Sequence, residues 1–308
     1  MEGSANRQLE HQGKLSSVYQ VLCYFDVFDY PVTCSEIVKY CSEEMDERTA
    51  TLSLEELIRI EKIHYQRGYY YLAASSAGCI EKRLAGEKLL AKKLSTIKKY
   101  AKLVSGFPFV RAAFISGSVS KGVLSATGDV DYFIVSEKGR VWICRTLLIL
   151  FKKIVLLNSK KYFCVNYFVD SGGMNVPDSN LFVATEIKTL VPVFTNETAL
   201  EFISKNDWID KMFPNSKGIN PALLIQEKNK PVLSKLIETL FSSGLGERVD
   251  DYFFKKTLLR WRKKFPHFDQ SQFDLNMRSY KSVSKHHPQG NQSKVLNGLE
   301  LRMSQLHS

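Results

Sequence analysis

Apolar positions recur at helical spacing over residues 15 to 26, "LSSVYQVLCYFD", and predict a helix that stops before Pro31, because proline disfavours helical geometry at the preceding residue. "TCSE" then offers a capping box, Thr33 with Glu36 three residues on, and predicts a short helix to about Cys41. A third helix is expected from about Glu47 to Ile60, with Leu52, Leu54, Leu57 and Ile58 giving its apolar side. Two aromatic-rich strands follow in "KIHYQRGYYYLA", around a turn at Gln66 to Gly68. Residues 81 to 104 read as one basic helix. Then come a strand in "FPFVRAAFIS", a strand in "DVDYFIVS", a helix in "VWICRTLLILFKKIVLL" and a strand in "KYFCVNYFVD". That alternation predicts a mixed α/β core whose functional residues lie at strand ends. From residue 181, "LFVATEIKTLVPVF" and "ALEFISKNDWIDKMF" read as helices, and the polar remainder is expected to be helical with a loop at "KHHPQGNQ".

These elements divide the chain into residues 1–77, a basic connecting helix at 78–103, a mixed-sheet unit at 104–215 and a basic helical region at 216–308. The fold class expected is α+β. Three helices and a hairpin make residues 1–77 winged-helix-like. The third helix of such a unit often reads DNA, but here Glu47, Glu55, Glu56 and Glu61 stand against Arg48, Arg59 and Lys62. Affinity for phosphate needs Lys and Arg, so protein contact or packing is the preferred role and DNA binding the alternative.

At 308 residues and 44% hydrophobic content, the chain can bury a sizeable core, which excludes a disordered class. The net charge of +11 is unevenly placed: residues 81–102 hold eight Lys or Arg against two Glu, and residues 251–308 hold eleven against four acids. Either a polyanionic partner or solvated helix faces would account for this. The six cysteines form no C-x-x-C pair and sit mostly in apolar runs, as thiols of a reducing compartment do. The polar start "MEGSANRQLEHQGK" has no apolar core of a signal peptide, and Arg145, Lys152 and Lys153 interrupt the most hydrophobic run. A cytoplasmic protein with no membrane partner is expected.

The chemistry concentrates in "FISGSVSKGVLSATGDVDYFIV", residues 114–135. In a strand, Asp129 and Asp131 share a face about 7 Å apart, where they repel each other and lose solvation. A divalent cation between them relieves that cost, and Mg²⁺ typically takes one or two carboxylates and completes its shell with water and substrate phosphates. Gly117 permits close backbone approach to a phosphate, Ser118 adds a hydroxyl beside helix-start amides, and Lys121 adds a point charge.

Gly117-Ser118, ten intervening residues, then Asp129-Val130-Asp131-Tyr132 resembles the signature of the nucleotidyltransferase superfamily related to DNA polymerase β. The resemblance covers roughly residues 105–170 at motif level. It implies Mg²⁺- or Mn²⁺-dependent transfer of a nucleoside monophosphate from an NTP, ATP by default, to a hydroxyl or phosphate of a small molecule, a protein or an RNA end. Gly117, Ser118 and Lys121 would hold the triphosphate, and Asp129 and Asp131 the metal. The family places a third carboxylate on a later strand, where this chain has the neutral Asn166. Asp170, on the same face by strand period but roughly 13 Å further along, is the candidate to close the site. If it does not, the fold would sense nucleotide or serve as a DNA-binding adaptor without turnover.

Other residues carry weaker signals. Arg145 in an apolar helix must reach water or an anion, and Glu186 is either solvated or faces the site from the following helix. His286 and His287 have no metal-ligating partner at useful spacing and read as a loop feature. The aromatics at 64–71 read as the hairpin's own small core.

Overall fold

A buried arginine ties the first third of the chain together in the computed structural model, which describes residues 2–306 apart from 217, 225, 227 and 228, with side chains from residue 10. Helix α1 (Glu2–Asp26) buries Val18, Leu22 and Phe25. Helix α2 (Cys34–Tyr40) opens on the expected capping box, Thr33 N donating to Glu36 Oε2 at 2.9 Å and Glu36 N to Thr33 Oγ1 at 3.3 Å. Asp46 caps α3 (Glu47–Arg59) by accepting from Thr49 N at 2.8 Å. Strands β1 (Ile63–Gln66) and β2 (Tyr69–Leu72) are antiparallel, and both residues of their turn, Arg67 at φ 54° and Gly68 at φ 85°, are left-handed, as a two-residue hairpin of the I′ kind requires. Helix α4 (Gly78–Ser105) carries the buried Arg83, whose guanidinium bonds both Glu36 oxygens at 2.7 and 2.8 Å and the Pro31 carbonyl. The same guanidinium lies over the rings of Tyr30 and Tyr69, 4.3 and 4.7 Å from their centroids. The basic helix is therefore docked along the N-terminal unit.

The central unit follows in chain order: β3 (Val110–Ser116), α5 (Gly117–Ser120), β4 (Asp131–Ser136), α6 (Val141–Ile154), β5 (Cys164–Asp170), α7 (Leu181–Thr189) and β6 (Val191–Pro192). Helices α8 (Glu197–Ser204), α9 (Trp208–Met212), α10 (Val232–Leu240), α11 (Gly244–Lys264) and α12 (Gln270–Asn276) lead to β7 (Ser279–Tyr280), β8 (Val283–Lys285) and α13 (Asn291–Met303). The mixed sheet has the order β6-β3-β4-β5-β8-β7, and only its β4–β5 pair, joined through α6, is parallel. Alternation along the strands fills both faces. Ile115, Tyr132, Ile134 and Phe168 pack with α4 and α6, while Phe114, Phe133, Val135 and Val169 pack with α7 and α8.

Two sequence expectations change. The helix expected through Phe194 ends at Thr189, and Val191–Pro192 pair with β3 instead, an edge position where proline's missing N–H costs little. Residues 216–308, expected to be helical, also supply β7 and β8, two and three residues long and too short to show a period. The chain then returns, and Val295, Leu299 and Leu306 join the core formed by α1, α2 and α3. No helix among the described residues is long and apolar enough to cross a membrane.

Helix α11 holds α6 by a buried carboxylate. Asp250, 5% exposed, accepts from Trp142 N at 2.9 Å and Ile143 N at 2.8 Å, donors that the first turn of α6 leaves without intrahelical partners. Arg145 points to this interface and lies over the Trp261 ring, 4.7 Å from its centroid, so it serves packing. Asp250→Ala leaves both amides buried and unpaired, so it lowers stability by about 1–3 kcal/mol, read as a fall of several degrees in the thermal midpoint. Burial also raises the Asp250 carboxyl to about 6. Between its unfolded value near 3.8 and about 6, the unfolded chain gives up this proton and the folded chain keeps it. The contribution of Asp250 to stability therefore falls as pH rises through that window, and the gap between wild type and Asp250→Ala narrows with it in denaturant melts.

Candidate functional site

The corner between β3 and β4 brings the sequence motif together. Ser116, the last residue of β3, pairs with Asp131, the first of β4. Gly117 follows at φ 67°, in the left-handed region, and turns the chain into α5 directly beneath that carboxylate. A Cβ on Gly117 would stand 2.8 Å from Asp131 Oδ2, so a side chain there would have to displace that carboxylate as well as strain the backbone. Val119 is buried and anchors the turn, while Ser118 is exposed beside it. Lys121 Nζ donates to Glu186 Oε1 at 2.7 Å and to the Gly117 carbonyl at 3.3 Å, and Tyr30 Oη donates to the Lys121 carbonyl at 2.7 Å. The turn is thus held from α7 and from the N-terminal unit.

Burial pushes the Asp131 carboxyl up to about 6, with Asp129 and Glu186 acting in the same direction and Lys121 against it. Asp129 lies two residues earlier, half-buried, just before the strand begins. Asn166 Nδ2 donates to Asp131 Oδ1 at 2.8 Å. Asn166 shares a face with Cys164, the register partner of Asp131, and a register shift between Tyr132 and Phe133 leaves it as the extra residue of β5. Asp170 does not join them. It pairs across from Ser136, five residues along β4 and roughly 17 Å from Asp131 by strand rise. There it is 6% exposed and accepts from Gly139 N and Gly172 N, both at 3.0 Å. Asp170 fixes two turns at the far end of the sheet, so the expectation that it closes the site is corrected.

The motif opens into a cavity of about 430 Å³ between the N-terminal unit and the sheet, a size typical of small-molecule sites. Phe25 and Tyr30 line one side, Phe133 and Tyr167 the sheet side, and α7 contributes Phe182 and Ile187. Polar groups converge at two places, Ser118, Lys121, Asp131, Asn166 and Glu186 at one end, and Lys285 and His287 elsewhere. Sequence reading undervalued Glu186, and the available signal was its position in the stripe Phe182, Val183, Glu186, Ile187 and Leu190 on α7, an acid in an otherwise apolar face. His287 lies in the loop after β8, as its sequence context predicts, and lines the cavity from there. His287 is largely buried against the Tyr167 ring at 6.1 Å, and burial holds its imidazole down to about 4.

Among the described residues no group of three His, Cys, Asp or Glu side chains is arranged to hold a metal ion. Asp131 lines the cavity beside a neutral amide, with Asp129 near it, so the two could offer a Mg²⁺-like ion carboxylates only if phosphates and water completed its shell, and they do not amount to a cage made by protein alone. No family model matches this chain, and no curated protein or solved structure is significantly similar to it.

Two glycines separate conformation from contact. Gly122 is also left-handed, at φ 85°, but a Cβ there meets nothing within 4 Å. Gly122→Ala is expected to cost about 1–2 kcal/mol through its backbone alone. Gly117→Ala loses at least about 1 kcal/mol more because Asp131 must move, and equal shifts in thermal midpoint for the two variants would refute the close contact.

Proposed function

We propose that the protein is a Mg²⁺- or Mn²⁺-dependent nucleotidyltransferase that moves a nucleoside monophosphate, with ATP as the default donor, to an acceptor hydroxyl. The observation that carries this reading is the left-handed Gly117 turn set directly against Asp131 at one end of the cavity. The amides around Gly117 and Ser118 and the ammonium of Lys121 would receive the triphosphate, and Asp129 and Asp131 would hold the cation. When bound, that ion supplies charge neutralisation on the transferring phosphoryl group, the main demand of such chemistry. The acceptor oxygen bonds to the α-phosphorus, the bond to the pyrophosphate oxygen breaks, and the acceptor proton passes to Glu186, released from Lys121 as the phosphates arrive. Glu186 thereby takes the part that Asn166 cannot.

Incubation with α-labelled ATP, Mg²⁺ or Mn²⁺ and a cell extract tests the reading. Label should pass to an acceptor with wild type, and Asp129→Ala/Asp131→Ala should remove at least 99% of it. Glu186→Gln should lower the rate by about 10²-fold while leaving ATP binding within a few-fold. Asn166, bonded to Asp131 where the superfamily carries an acid, favours a second reading, a nucleotide sensor with no turnover. Metal-dependent ATP binding with no labelled product in any extract would establish that reading instead.

The N-terminal unit, winged-helix-like in its order of elements, serves in this proposal to wall the cavity through Phe25 and Tyr30. Its exposed α3 surface mixes Glu47, Glu55 and Glu61 with Arg48 and Arg59. Gel-shift experiments with duplex DNA should accordingly show no complex surviving about 150 mM salt.

A further inference from the structure

Beyond the Gly117–Asp131 corner the cavity reaches a buried cation that, among the described residues, has no acid in ion-pair contact. Lys285, the last residue of β8, is 4% exposed and lines the cavity. Its Nζ donates to Gln292 Oε1 at 3.3 Å, and among the described residues it forms no ion pair. Burial pushes its ammonium down to about 8, with Asp178 opposing and Arg278 assisting. The other three Lys and Arg residues lining the cavity are paired, Lys121 with Glu186, Arg83 with Glu36 and Lys82 with Asp29. An unpaired buried ammonium carries a desolvation cost that an entering anion would offset.

The surroundings of Lys285 are flat and aromatic. Strand register sets Phe133, Tyr167 and Lys285 in one row across β4, β5 and β8. The rings of Phe133 and Tyr167 have centroids 4.9 Å apart, and Tyr167 meets His287. Asp131 is two residues before Phe133 on the same face. Two strand spacings and one two-residue step therefore separate Asp131 from Lys285, about 12 Å between Cα positions. That span suits a fused-ring body rather than a metal-bound water or a simple inorganic ion.

We propose that this end of the cavity is an acceptor subsite for a planar aromatic molecule bearing a carboxylate or phosphate, its anion seated on Lys285 and its hydroxyl directed at the Asp131 corner. Calling the molecule the acceptor rests on the nucleotidyl-transfer reading. The anion site on Lys285 stands without it.

Fluorescence titration of the full chain with 6-hydroxy-2-naphthoate, the monophosphate of 2,6-dihydroxynaphthalene and the uncharged 2,6-dihydroxynaphthalene tests the subsite. At least one anion should bind tenfold or more tightly than the neutral diol, and the order of the two anions tells carboxylate from phosphate. Lys285→Met should remove that advantage and Lys285→Arg keep it, with Lys285→Gln as the alternative if the Met variant does not fold. No advantage for either anion, or one that survives Lys285→Met, overturns the proposal. Mg²⁺ and ATP should bind together with the naphthoate; displacement of the probe by ATP would assign this pocket to the nucleotide and also overturn it. Asp129→Ala/Asp131→Ala should retain the probe. A failure of label transfer thus leaves the anion site standing, and a failure of probe binding leaves the transfer reading standing.

Discussion

The cost of holding charge away from water governs this molecule. The cavity is walled mostly by rings and aliphatic side chains, yet acids and bases from five separate parts of the chain face it. Each charge is tolerable only with a partner, and the partners come from distant segments: Lys121 with Glu186, Arg83 with Glu36, Asp178 with Arg278 at 2.8 Å. These pairs also fix the architecture. Arg83 docks α4 against α2, Lys121 ties the β3–β4 turn to α7, and Arg278 ties the segment before β7 to the loop before α7. Lys285 and Asp131, neither of which forms an ion pair among the described residues, then stand out as places where burial is least offset by the protein itself.

How far this was readable from the sequence depended on separation along the chain. The turn chemistry of Gly117, the strand beginning at Asp131 and the capping box at Thr33 are decided within a few residues, and local rules reach them. Asn166 was identified by its place in a strand, and alternation from Cys164, the partner of Asp131, already sets it on the site face, but the count fails beyond it because Asn166 is a bulge. The same count put Asp170 on the site face, although the parallel register carries it to the other end of the sheet. Glu186 and Lys285 were beyond local reach, because each gains meaning only from an element 65 or more residues away in sequence or from a strand of three residues.

The return of the chain matters for the same reason. Helix α13 packs on α1 and α7, and β8 extends the sheet beside β5. The last quarter of the chain therefore closes the cavity that the first quarter and the central sheet leave open. Arg302 bonds Asp26 at 2.6 Å, and Lys62 reaches the Gln305 carbonyl at 2.6 Å, so the two ends are joined by polar contacts as well as by the shared core of Val295 and Leu299. A basic region that reads as a separate tail is part of the wall around the site.

Asn166 draws these points together. A carboxylate there would set a third acid close to Asp131, already raised to about 6 by burial and by its acidic neighbours, and each added negative charge would raise it further. Asparagine instead donates to Asp131 Oδ1 and contributes no charge. The chain thereby gains a corner whose polar groups satisfy one another, and on the transfer proposal it gives up a ligand that would help activate the attacking oxygen. Stability and chemical power commonly oppose each other at such positions. On the transfer proposal, with Asn166 neutral, activation would have to come from across the cavity, and Glu186 could supply it only after Lys121 turns to another anion. Charge on the incoming ligand would then be what releases Glu186, coupling occupancy of the turn to readiness of the base.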